Sequence, residues 1–137
     1  MYVKHLAADY MNETGASSSF GLLSPTWNNV EHYILGLNGV SSTYVVLSES
    51  EDKSSEKVLL IRSPKSGVYF CVYYDGDEYY LCNQNGEILT EPMEMGEFIF
   101  HSTIEYVDTK IVLEAAEYFY NQGGRAPALN WVSPSVM

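Results

Sequence analysis

Lysine and arginine are scarce in this chain, seven among 137 residues, and none lies between Ser66 and Thr109. That scarcity argues against direct nucleic-acid binding, because phosphate contacts need Lys and Arg. Cysteine is nearly missing as well: Cys71 and Cys82 are too few for a disulfide framework. No stretch approaches the roughly 18 apolar residues that a membrane span needs. Near the start, Lys4, His5, Asp9 and Glu13 interrupt any apolar signal core. The expectation is a cytoplasmic protein with reduced thiols and no membrane partner.

Catalytic signatures are missing too. Zinc sites need clustered ligands such as Cys-x-x-Cys, but Cys71 and Cys82 stand alone, and His5, His32 and His101 are far apart. A nucleotide deaminase carries His-x-Glu and Pro-Cys-x-x-Cys; His101-Ser102-Thr103 lacks the glutamate, and the cysteine motif does not occur. Gly123-Gly124 has no following lysine and forms no phosphate loop. Gly-x-Ser-x-Gly does not occur either. Paired carboxylates of the glycosidase kind are available only because acids are abundant. We therefore expect no enzyme activity, no cofactor and no metal.

What is present is acid and tyrosine. The formal charge is −11, and Ser66 to Thr109 holds nine acids interleaved with Tyr69, Tyr73, Tyr74, Tyr79, Tyr80 and Tyr106. A folded segment of this kind offers negative potential beside flat aromatic faces, which complements a cationic groove on another protein.

The pattern predicts an α+β fold: an antiparallel meander of about five to six strands, with a helix at each end packed on it. One domain spans residues 1–137, with 1–23 a loosely ordered lead and Thr14 to Ser19 a flexible connection. Ser24-Pro25-Thr26 begins a helix, proline taking the first helical position. Trp27, Val30, Ile34 and Leu37 form its apolar stripe, and Gly36 or Gly39 ends it. Thr43–Leu47 and Lys57–Arg62 read as strands around the acidic loop of Glu49, Glu51 and Asp52. Ser63 to Gly67 reads as a turn. Asn85-Gly86 marks another, Pro92 disfavours a central strand, and Glu97–Ile104 reads as a strand. Asp108 caps a helix with Ile111, Val112, Ala115, Ala116 and Phe119 on its apolar face, stopped at Gly123-Gly124. An extended tail follows, carrying Arg125, Pro127, Leu129 and Trp131.

Val68–Tyr74 and Tyr79–Asn83 flank Asp75-Gly76-Asp77-Glu78, a strong hairpin signal. With all four residues in the loop, Tyr74 faces Tyr79, Tyr73 faces Tyr80 and Cys71 faces Cys82. Phe70, Val72, Tyr74, Tyr79 and Leu81 then form the core face. Tyr69, Cys71, Tyr73, Tyr80 and Cys82 form the other, as a second layer or a binding face. A two-residue Asp75-Gly76 turn would break this pairing.

The run Ile111-Val112-Leu113-Glu114-Ala115-Ala116-Glu117-Tyr118-Phe119, then Gly124-Arg125-Ala126-Pro127 and Leu129-Asn130-Trp131, resembles the C-terminal pattern of small bacterial immunity proteins. These are encoded beside polymorphic toxins, and the resemblance is to the family paired with nucleic-acid deaminase toxins. The chain departs from that pattern in its N-terminal lead and in the acidic loop after Leu47. The resemblance implies an inhibitor that occludes the cationic substrate site of a cognate toxin domain, a zinc-dependent deaminase, as a one-to-one heterodimer. Phe119 and Trp131 are expected to be structural, with the tail folding back against helix and sheet. The expected partner-binding residues are Asp75, Asp77 and Glu78 at the hairpin tip, with Tyr73 and Tyr80 behind them, then Glu49, Glu51 and Asp52. The alternative is an acidic adaptor or chaperone for a secreted effector.

Overall fold

The computed structural model describes residues 2–11, 15, 17–49, 57–82, 93–95, 98–100 and 106–132. Its elements are β1 (His5–Met11), β2 (Ser17–Leu23), α1 (Trp27–Leu35), β3 (Tyr44–Ser48), β4 (Val58–Lys65), β5 (Val68–Tyr74) and β6 (Glu78–Cys82). The rest are β7 (Met93–Met95), β8 (Phe98–Phe100), α2 (Thr109–Gln122) and β9 (Asn130–Val132).

The fold is α+β, with a seven-stranded sheet ordered β2-β1-β3-β4-β5-β6-β9 and every neighbouring pair antiparallel. From β3 to β6 it is a meander. Strand β1 lies antiparallel between β2 and β3, so the chain crosses over it through α1. A two-stranded ribbon of β7 and β8 lies against β4.

Helix α2 starts at its predicted cap, whereas α1 starts two residues later than the Ser24-Pro25 signal predicts. Thr26 accepts the Asn29 N–H at 3.1 Å, and the Asn29 side chain accepts the Thr26 N–H at 3.0 Å, a reciprocal cap. Pro25 precedes that cap instead of opening the helix. Asp108 accepts the Ile111 N–H at 2.9 Å at the start of α2. Gly123 ends α2 at φ +76°, and a Cβ there would meet the Tyr2 ring at 2.5 Å. Glycine is required there by both the left-handed backbone and the close ring.

The two helices cover one face of the sheet. Val30 and Ile34 of α1 and Val112, Ala115, Ala116, Phe119 and Tyr120 of α2 pack on Leu6, Ala8, Val45, Leu47, Leu59, Ile61, Tyr69, Cys71, Tyr73 and Leu81. Phe119 is fully buried and meets Tyr2 edge-on at 5.5 Å and Tyr73 at 6.0 Å. The other face carries a smaller cluster in which Phe70 and Tyr106 pack with Val68, Val72 and Tyr80. Asp9 is buried, accepting the N–H groups of Thr43 at 2.7 Å and Tyr44 at 3.0 Å and the Thr43 hydroxyl. Arg62, stacked 5.5 Å from the Tyr44 ring, is pulled below the usual guanidinium range by burial, against the opposing charge of Asp9.

Three expectations need correction and one becomes more specific. The lead is a hairpin: β1 and β2 pair in unbroken register from His5–Leu23 to Met11–Ser17 and extend the sheet to seven strands. Its strand signal is weak because serine fills three of the seven positions of β2, yet Phe20 and Leu22 still reach the core. Second, Ser63, Pro64 and Lys65 continue β4 through a register irregularity, and the turn is Ser66-Gly67 with Gly67 at φ +84°. Third, the extended tail does fold back on the sheet, and it does so as a strand, β9, whose Trp131 pairs with Leu81 of β6.

The last correction is the β5–β6 register. Tyr74 pairs with Glu78, Tyr73 with Tyr79 and Val72 with Tyr80, so only Asp75-Gly76-Asp77 form the loop. Gly76 at φ +111° allows this tighter closure. The slip of one residue moves β5 relative to β6. Tyr69, Cys71 and Tyr73 lie beneath the helices with Tyr79 and Leu81, while Phe70 and Val72 join Tyr80 on the far face. Cys71 pairs with Ile61 and Cys82 with Asn130. Within the predicted Glu97–Ile104 strand, Phe98–Phe100 pair with Met93–Met95, while Asn85, Gly86 and Pro92 lie outside the described residues.

Candidate functional site: an acidic and aromatic sheet end

One row of register pairs runs across the sheet: Leu23 with His5, His5 with Ser48, Ser48 with Val58, Val58 with Tyr74, and Tyr74 with Glu78. Glu49 directly follows Ser48, and Asp75 directly follows Tyr74, so both acidic loops leave the sheet at the same end. Strands β3 and β5 are two spacings apart, which separates those two departures by about 10 Å. Glu49, Asp75, Asp77 and Glu78 are all exposed. Four of the sequence-predicted acids thus gather at one end. Glu51 and Asp52 lie outside the described residues.

The tip is internally braced. The Asp77 N–H reaches the Asp75 carboxylate at 3.3 Å, and the Asp75 N–H donates to the Asp77 carbonyl at 3.2 Å. Tyr80 donates its hydroxyl to Glu78 at 3.1 Å. The phenol is pushed above its ordinary pKa by burial first, then by the Glu78 hydrogen bond and charge. Its ring leans on Phe70 with centroids 5.5 Å apart. Tyr80 therefore stands behind the tip as predicted, on the face away from the helices.

Tyr73 does not share that position. It is 3 % exposed, wedged edge-on between Phe119 at 6.0 Å and Trp131 at 6.2 Å. Burial raises its pKa, with further contributions from the Asp75 charge and hydrogen bond. The register slip is the cause: it turned Tyr73 inward beside Tyr79 instead of outward beside Tyr80. The aromatic that the tip does present is Tyr74, 45 % exposed.

Two features escaped the sequence. Arg125 lies over the Tyr79 ring at 3.7 Å and near Tyr73 at 5.8 Å, a cation stacked behind an acidic hairpin. Its only signal is an arginine just after the helix stop, with nothing local to say which ring it meets. The second is a groove of about 430 Å³ on the outer side of the helices, with Trp27, Glu31, Glu114, Glu117 and Tyr118 among its walls. Its acids were legible only as solvated helix positions. Both helices had to be placed before they shared a wall.

Phe119 and Trp131 are structural. Phe119 is in the core, and Trp131 is half-buried, its Nε1–H donating to the Ala126 carbonyl at 3.1 Å. Cys71 and Cys82 are both buried, and full burial raises the Cys71 thiol far above its usual range. Among the described residues no three His, Cys, Asp or Glu side chains gather in a metal-holding group, and no helix is long and apolar enough to cross a membrane. What the sheet end offers is negative charge, a projecting phenol ring and a stiffened backbone turn. Set against known proteins, the chain matches no family model, and no curated protein sequence matches it.

Proposed function

We propose that this protein is a cytoplasmic immunity protein that binds a cognate toxin domain, a nucleic-acid deaminase, and blocks its cationic substrate groove without chemistry of its own. The observation that carries this reading is the convergence of Glu49, Asp75, Asp77 and Glu78 around exposed Tyr74 at one sheet end. A deaminase acting on DNA or RNA must attract phosphates, so its groove is positive. An acidic end accelerates encounter with such a groove, and an aromatic anchor slows release. The braced tip lowers the ordering cost of binding.

The test is co-purification with the product of the neighbouring gene, followed by deamination assays with and without the protein. A stable complex with deamination suppressed is expected. A stable complex that deaminates at full rate would overturn occlusion, and retention of only an unfolded targeting segment would favour an adaptor. With the partner in hand, D75N, D77N and E78Q together should lower the association rate at least tenfold at low salt, and the difference should shrink as salt is added. Because these acids are exposed, the triple variant should melt close to the parent, within about 0.5 kcal/mol.

A further inference from the structure

The two edges of the sheet are built differently. Strand β9 is a three-residue edge, short enough to discourage further pairing. Strand β2 is a seven-residue edge with the sequence Ser-Ser-Ser-Phe-Gly-Leu-Leu, carrying no charge and no proline. It runs without a register break along β1. Long edges are ordinarily guarded by lysine, proline, a bulge or a covering element. Among the described residues β2 has none of these, and nothing pairs with its outer side.

Exposed apolar side chains lie on both faces of this hairpin. Of the six large hydrophobic side chains exposed among the described residues, Tyr10, Met11 and Leu23 belong to the β1–β2 hairpin. Leu23 is 68 % exposed. On the helix side, Phe20 stacks 5.9 Å from Tyr10 and 5.2 Å from Tyr33.

We infer that β2 is a dimerisation edge, pairing antiparallel with β2 of a second copy about a two-fold axis at Phe20. The sequence is self-complementary in that register. Phe20 faces Phe20 of the other copy, Ser18 faces Leu22, and Ser19 faces Gly21, so bulky residues meet small ones or the symmetry axis. A closed two-fold pairing consumes both open edges at once, leaving only the short β9 edges of a fourteen-stranded sheet. Charge permits it: each copy carries −11 overall, but β2 contributes none of that. The hairpin-tip acids of β6 leave the sheet five strand spacings from β2, roughly 24 Å away. The acidic end stays free in the dimer, which therefore presents two copies of it.

Sedimentation equilibrium of the full chain over a wide concentration range tests this without any toxin. The expected species has twice the 15.4 kDa chain mass. S19K and L23K together place charge on two exposed edge positions and should raise the dimer dissociation constant at least tenfold, with an unchanged far-ultraviolet circular dichroism spectrum. N130K on the β9 edge should leave the dimer intact. A second readout fixes the register: F20C should form an intermolecular disulfide under mild oxidation, while L35C on the exposed side of α1 should not. A chain that stays monomeric up to about 0.5 mM overturns the inference. So does a dimer unaffected by the lysine pair, and so does failure of F20C to cross-link in a folded dimer.

Discussion

The inner face and the tip of the β5–β6 hairpin are a few residues apart and obey different rules. On the inner face, Tyr69, Cys71, Tyr73 and Leu81 are closed over by α2 and lie in the main core. At the tip, Tyr74, Asp75, Gly76, Asp77 and Glu78 are exposed. Tyr73 and Tyr74 are adjacent in sequence and identical in chemistry, yet one is 3 % and the other 45 % exposed. Parity turns Tyr73 under the helices, while Tyr74, on the opposite face at the end of the strand, has no covering element. The comparison predicts that inner-face changes act on stability, whereas tip changes act on partner binding.

Three measurements break or sharpen that contrast, beginning with the largest effect. Y73A removes a ring packed against Phe119 and Trp131, and should cost about 3–5 kcal/mol in denaturant unfolding, whereas Y74A should stay within about 0.5 kcal/mol. Equal costs would erase the distinction between the two faces.

Next comes alkaline pH. Burial is the leading cause of the raised pKa at Tyr73, Tyr80, Tyr106 and Tyr120. Each phenol's folded pKa lies above its unfolded value near 10, so the neutral form is favoured by folding. That contribution is fully present below the unfolded pKa and is lost as pH rises through the folded values. Unfolding free energy should therefore be flat in this respect at neutral pH and decline above about pH 10. Y73F, which keeps the ring and removes the proton, should make the decline shallower. An identical slope would show that Tyr73 titrates freely.

The smallest effect is that of Arg125, which bridges the two regions by stacking on Tyr79 over the tip's base. R125A should destabilise by about 0.5–1 kcal/mol, the range of a partly exposed cation–π contact. R125K should recover only part of the loss, since an ammonium does not stack as a planar guanidinium does. Full recovery by lysine would mean that charge alone matters there.

Much of the architecture was legible. Asp108, Gly123 and Thr26 are local signals, because capping groups act on N–H and C=O within one turn. The helix stripes of Val30 and Ile34, and of Val112, Ala115, Ala116 and Phe119, follow from 3.6-residue periodicity. The β5 faces were illegible for a physical reason. Val68 to Tyr74 is apolar or aromatic at every position, so alternation gives no parity, and only loop closure sets the register. The β1–β2 hairpin was hidden because serine carries little strand propensity, and its pairing is long-range support from β3 through β1. At the candidate site the acids were found from charge, while the inward turn of Tyr73 and the stacking of Arg125 needed the fold.

By itself the sequence determined the class of elements, where the helices begin and end, the sign of the surface and the paucity of catalytic motifs. These are local or additive properties of the chain. Only the tertiary structure decided which tyrosines are buried, that the Glu49 and Asp75 loops share one end, and that the sheet has one guarded edge and one open edge. Those depend on strand order and register, which are set by closure of turns and by burial of one face against helices distant in sequence.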